Sequence, residues 1–295
     1  MFGRRAHMPR GGGIGGRGRN NGVVLMLFMQ LFAQIQQLER KPPVTLALMG
    51  GMVGLFFYQG HPGVPTARRY ALCPDIVVER LDWKRLVVSA FLHVDEWHLY
   101  NNMYTPSPCH FPTILVSRAS FLWKGVNLEF KLGSERFVQL VGFLLVFSHM
   151  LTVAAAYALS NILDDDSYMH RCSIGFSAVL FALKIVLNQN SPTYTTFLGL
   201  RVPTKYVAWC ELVYIHLFVP GSSFLGHLAG ILAGYLYMKS PLWTTSNFFR
   251  ASQHPSPRRS SYTYASGRAT ARPPPSHASD EAYARWLQEE EYRRR

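Results

Sequence analysis

Ser177, His227, His98 and Asn102 are polar side chains set in otherwise apolar stretches, and their types are those that acyl transfer needs. A hydroxyl attacks, an imidazole takes its proton, and N–H donors hold the oxyanion. Ser177 stands in Gly175-Phe176-Ser177-Ala178, where a glycine permits a tight turn and a new helix offers unpaired backbone N–H groups to a developing negative charge. His227 stands in GHLAGILAG, where Gly226, Gly230 and Gly234 recur at one-turn intervals. Ala178 and Ala182 follow Ser177 with the same spacing. Such small-residue stripes let two helix backbones approach closely, and meshing these two would bring Ser177 within hydrogen-bond reach of His227. His98 and Asn102 share one helix face, a spacing that suits paired oxyanion donors and equally suits a helix cap.

The remaining polar residues in apolar stretches carry less chemistry. Glu211 and His216 read as bundle-stabilising or as lining a wet cavity, and His149 and Lys184 as structural or snorkelling. His93 and His98 enclose Val94-Asp95-Glu96-Trp97 rather than the HExxH of a zinc protease, and no third ligand follows at suitable spacing. Neither a metal nor an organic cofactor is expected. Cys73, Cys109, Cys172 and Cys210 stand far apart without metal-ligand pairing, and a chain this long does not need a disulfide framework, so they are not expected to define a site.

The elements that must position these residues are membrane helices. Of 295 residues 48% are apolar and only 16% charged, and most of the charge lies at the ends and in a few loops, which excludes a simple soluble enzyme. The formal charge of +13 does not indicate a nucleic-acid partner, because arginines crowd the segments before residue 20 and after residue 249, outside any foldable core. Apolar windows at 44–59, 98–123, 137–160, 173–187, 206–219 and 222–238 predict six spans, several shorter than the ~20 residues a bilayer core asks for. The window ending at Leu38 carries Gln30, Gln34 and Gln37 at helical spacing and reads as an interfacial helix. With both termini cytosolic, the basic segments 124–136 and 201–205 and the tail fall inside, as the positive-inside rule requires. This gives three regions: a basic disordered N-terminus (1–20), a membrane domain (21–240), and a cytosolic tail (241–295) rich in Ser, Pro and Arg and expected to be disordered.

Taken together, GFSA, GH with its glycine stripe, and HLYNN resemble the rhomboid intramembrane serine proteases. WCELVYIHLF and PGSSFLGHLAG resemble the endoplasmic-reticulum rhomboid-domain-containing type in particular. The resemblance covers 22–242 and implies an all-α polytopic membrane protein with a six-helix rhomboid bundle in the endoplasmic-reticulum membrane. It implies a Ser177–His227 dyad without a carboxylate, with His98 and Asn102 as oxyanion-stabilising donors and transmembrane proteins as substrates. Trp83 and Arg85 resemble the family's tryptophan-arginine pair, except that Lys84 separates them. A second departure is larger: residues 104–118, with Pro106, Pro108 and Pro112, interrupt the second span just after Asn102, and removing them rejoins Met103 to Ala119 in one apolar helix. The insert lends weight to the alternative of a catalytically inactive, derlin-like protein that binds substrates for extraction and degradation. A transporter would show internal repeats, and none is apparent. At the far end, a stripe of Ala282, Trp286 and Leu287 edged by acids resembles short ubiquitin-binding helices, which makes ubiquitin a candidate partner; a merely solvated amphipathic helix fits the same pattern.

Overall fold

The computed structural model describes residues 21–103, 121–188, 191, 193–219 and 221–240. The basic segment 1–20, the insert 104–118 and the tail, with the stripe that resembles ubiquitin-binding helices, lie outside the described residues. In chain order the elements are α1 (Asn21–Gln37), α2 (Pro43–Tyr58), three short helices α3 (Ala67–Tyr70), α4 (Pro74–Glu79) and α5 (Arg85–Phe91), then α6 (Glu96–Met103), α7 (Phe121–Leu132), α8 (Ser134–Leu163), α9 (Ser167–His170), α10 (Ser177–Asn188), the hairpin β1 (Tyr194–Phe197) and β2 (Leu200–Pro203), α11 (Val207–Phe218) and α12 (Phe224–Lys239). Each of the six apolar windows carries a helix, the second being represented by α6 and α7 on either side of the insert.

Among the described residues α8 alone is long and apolar enough to cross a membrane by itself. It buries Phe137, Leu140, Val141, Leu144, Leu145 and Ser148 at helical spacing, yet its opposite face carries the exposed Val138, Val146, Met150 and Tyr157. A helix apolar on both faces suits a surrounding of lipid rather than water. Beside it α10 is buried without interruption from Ala178 to Val186, which makes it the central helix of the bundle. The antiparallel β1–β2 hairpin departs from an all-helical chain; it turns through Leu198 and Gly199, both at positive φ. That segment had been legible only as a charged connection.

The start of α2 shows how these elements are tied. Pro42 and Pro43 fix the turn, but Pro42 has no side chain to cap the helix, and the amides of Val44 and Thr45 would be orphaned. Glu129 of α7 fills the role: Oε1 accepts from the Val44 N–H at 2.9 Å, and Oε2 from the Thr45 N–H and hydroxyl, each at 2.8 Å. The Ser134 hydroxyl at the start of α8 donates to Oε1 at 2.7 Å. One carboxylate therefore joins three helices. Burial opposes ionisation of Glu129, but these four donors outweigh it and hold the carboxyl below the usual carboxylate range.

Helix α1 rests on the protein, with Phe28 against Phe57 at 5.2 Å and the Tyr100 hydroxyl donating to Gln30 Oε1 at 2.9 Å, while Met26, Met29 and Phe32 face outward. One glutamine of its polar face is thus used on α6 rather than on headgroups.

Candidate active site

Ser177 is the first residue of α10 and His227 lies in the first turn of α12. The two helices mesh through the small-residue stripes. A Cβ on Gly230 would overlap the carbonyl oxygen of Ala178, and one on Gly234 would lie 2.8 Å from the carbonyl oxygen of Ala182. Because the backbones touch, their first turns lie at the same level, and the Ser177 hydroxyl donates to His227 Nε2 at 2.9 Å. Ser223 caps α12 by accepting from the Gly226 N–H at 3.1 Å, which fixes where the helix, and hence His227, begins.

His227 is buried, with its ring 4.8 Å from that of Phe181. Its Nδ1 has no hydrogen-bond partner among the described residues. Among the described residues no carboxylate bonds the imidazole; its orientation comes from the aromatic contact and the close-packed helices.

The approach to Ser177 passes through Gly175, at φ +103, where only glycine is unstrained. Its N–H donates to the Ser89 carbonyl at 3.0 Å. A Cβ there would lie 2.7 Å from His98 Nε2 and 3.4 Å from Asn102 Nδ2. Both residues expected to be oxyanion donors therefore stand against the turn that leads to Ser177. The cap of α6 is supplied by Asp95, whose Oδ1 accepts from the His98 N–H at 2.7 Å, so capping is not what the His98 and Asn102 side chains do. Ser177 opens its helix, and its own N–H belongs to the first-turn amides without intrahelical partners. His98 and Asn102 thus lie against Gly175, two residues before the Ser177 hydroxyl that bonds His227.

One expectation is corrected. Cys73 and Cys172 form a disulfide, reinforced by paired backbone hydrogen bonds between Leu72 and Ser173 at 2.8 and 2.9 Å. The bond ties the first long connection to the segment just ahead of Gly175, so two of the four cysteines do brace the site. Their spacing in the chain hid this, since it is the folding of α3 and α4 that brings Cys73 to Cys172. Of the two readings of Lys184 the structural one holds: it is buried and paired with Glu211 of α11, an ion pair joining α10 to α11. His149 is structural, its Nδ1 donating to the Leu86 carbonyl at 2.6 Å, whereas His216 is exposed beside Phe224. Arg85 bonds Asp82 at 3.0 Å and the Ala71 carbonyl at 2.7 Å, while Trp83 is exposed, as an interfacial anchor would be.

Sequence reasoning overlooked two buried residues. Glu129 was legible only as loop charge, although uncapped amides after a proline pair signal that an acceptor must arrive from elsewhere. His93, fully buried, places Nε2 2.9 Å from Asn102 Nδ2; a lone histidine in a connection gives no such signal.

Comparison with known proteins bears on the family. The model of the Rhomboid domain matches residues 109–242. The chain is 38% identical over 227 residues to "Rhomboid-like protein 14, mitochondrial" of Arabidopsis thaliana, covering 76% of this chain and 64% of that protein. It is 38% identical over 229 residues to "Rhomboid-related protein 4" of Homo sapiens (77% and 65%) and 35% identical over 227 residues to its Mus musculus counterpart (77% and 65%). The chain thus spans about two-thirds of the length of these relatives. No solved structure matches it. With a largely helical bundle, motifs that resemble the rhomboid signatures and relatives of this similarity, the chain belongs to the rhomboid family of membrane proteins.

Proposed function

We propose that the protein is an intramembrane serine endopeptidase that cleaves transmembrane segments of other membrane proteins through a Ser177–His227 dyad, within a six-span bundle. The observation that carries this reading is the 2.9 Å hydrogen bond from the Ser177 hydroxyl to His227 Nε2. As Ser177 Oγ attacks the scissile carbonyl, a C–O bond forms and the hydroxyl proton passes to Nε2. The negative charge on the carbonyl oxygen is met by the Ser177 N–H, His98 and Asn102. The imidazolium then returns its proton to the leaving amine as the C–N bond breaks, and a water molecule repeats the sequence to release the acyl group. Neither a metal nor a cofactor enters these steps.

Ser177→Ala and His227→Ala in the full chain, co-expressed with a transmembrane substrate, should each abolish cleavage while the protein remains folded. Cleavage by Ser177→Ala at the parent's rate refutes the assignment. An inactive, derlin-like role has no need of a paired Ser177 and His227, and retention of substrate binding without cleavage by the parent would favour it.

The protein resides in the endoplasmic-reticulum membrane with both termini cytosolic and the active site opening towards the lumen. The Cys73–Cys172 bond supports that orientation, because disulfides persist on an oxidising side. Since one relative's name includes "mitochondrial", fractionation against markers of both organelles is the deciding measurement. Beyond the bundle, the cytosolic tail contacts ubiquitin through Trp286. Loss of ubiquitin capture in Trp286→Ala tests this.

A further inference from the structure

The spacing of His93 from His98 does not suit a metal site, but its place beside Asn102 suits another role. His93 lies in the short connection between α5 and α6, with 0% of its surface exposed. Three contacts fix it there. Gln59 Nε2 of α2 donates to its backbone carbonyl at 3.1 Å, its ring meets that of His98 edge-on at 5.1 Å, and its Nε2 lies 2.9 Å from Asn102 Nδ2.

The chemistry of that last contact is asymmetric. The Asn102 Nδ2 is a donor only, so His93 Nε2 must accept and the ring proton must sit on Nδ1. This requires a neutral imidazole. Burial, with the neighbouring His98 as the second cause, pushes His93 down to about 3 against the raising effect of the Phe91 backbone, so it stays neutral at physiological pH.

An asparagine amide is nearly symmetric in shape but opposite in polarity at its two ends. Turned one way it offers an N–H to an oxyanion; turned the other way it offers a carbonyl oxygen, which repels one. We propose that His93 is a positioning residue for the reaction, accepting one N–H of Asn102 so that the amide cannot turn over and the second N–H faces the oxyanion site above Gly175. The inference rests on the proteolytic reading and deepens it. Three side chains, not two, then define the oxyanion site beside the Ser177 N–H, and the third never touches the substrate.

The test uses the full chain in detergent with a transmembrane substrate, measuring kcat, KM and the thermal midpoint for His93→Leu, His93→Gln, Asn102→Ala and the His93→Leu/Asn102→Ala double variant. Leu fills the space without an acceptor, whereas Gln carries an acceptor at about the reach of Nε2. The expected result is a roughly 10- to 100-fold fall in kcat for His93→Leu with KM within about twofold, up to but not beyond the ~10²-fold lower end for outright loss of one oxyanion donor. Recovery of most of kcat in His93→Gln, and a double variant no slower than Asn102→Ala alone, complete the signature, since residues acting as one unit do not lose additively. The inference is overturned if His93→Leu turns over like the parent, if the two losses multiply, or if kcat in the Leu and Gln variants simply tracks the thermal midpoint. A parent chain that does not cleave at all refutes the proteolytic reading itself, and this inference with it, so the two failures are distinguishable.

Discussion

Substituting Gly230 by alanine probes whether the meshing of α10 and α12 sets the distance between Ser177 and His227. The added methyl would overlap the Ala178 carbonyl oxygen, and the carbonyl carbon and Cα of Ala178 would lie 2.9 and 3.1 Å from it. Ordinary contact begins at about 3.5 Å, so the two helices must part by roughly 1 Å at this level. Overpacking of this kind costs about 1–3 kcal/mol, partly offset by the ~1 kcal/mol by which alanine favours a helix over glycine. The larger effect is on chemistry. Ala178 adjoins Ser177 and Gly230 lies within one turn of His227, so the same displacement stretches the 2.9 Å bond beyond hydrogen-bonding range. A general base out of reach forfeits about 10²–10⁴-fold in rate. Gly230→Ala is therefore expected to lower kcat at least ~10²-fold in a reconstituted transmembrane-substrate assay while its thermal midpoint falls only modestly. Gly142→Ala on α8 is the control, because nothing lies within 4 Å of a Cβ there, and it should be neutral or slightly stabilising. Turnover by Gly230→Ala within twofold of the parent would show that the close approach is not what aligns the dyad.

Three further outcomes follow from other parts of the fold. Glu129→Gln should destabilise the protein by about 2–4 kcal/mol, read as a lower thermal midpoint, because charge-assisted bonds to α2 and α8 are weakened together. Since the folded carboxyl is held below its unfolded value, the stabilisation is complete above the ordinary glutamate range and is lost as pH falls through the folded value; the variant's deficit should shrink correspondingly in acid. Cys73→Ser/Cys172→Ser should lower the midpoint by an amount equivalent to about 1–4 kcal/mol, less than a soluble chain would lose because membrane helices persist in the unfolded state; a midpoint unchanged by the substitutions or by reductant would mean the bond braces nothing. Deleting 104–118 should raise both the thermal midpoint and the activity, by joining α6 to α7 as one rigid support for His98 and Asn102; a less stable, less active deletion variant would mean the insert is an accommodated element of the fold.

The site was legible where it depended on periodicity along single helices. Glycines and alanines at one-turn intervals announce close approach, and that local signal sufficed to predict contact between Ser177 and His227 across a gap of fifty residues. What stayed hidden was set by connections rather than periods. The pairing of Cys73 with Cys172 depends on how α3 and α4 fold the first long connection, and nothing in the spacing of four scattered cysteines encodes it. Glu129 caps a helix more than eighty residues away, so no capping motif marks it. His93 acts through an orientation, that of the Asn102 amide, which no residue type advertises.

The disulfide also changes what the chain is as a covalent object. Its bridge closes residues 73 to 172 into a ring that carries His98 and Asn102, while Ser177 and His227 stand on the open strand beyond it. The insert 104–118 lies within that ring. A proteolytic cut there would leave a single molecule of unchanged mass apart from one water, its two pieces held by sulfur, and His98 and Asn102 would stay tethered to the helix that bears Ser177. A nicked and an intact protein would then migrate together until reductant is added, so the covalent continuity of the second span can be judged only from reduced samples.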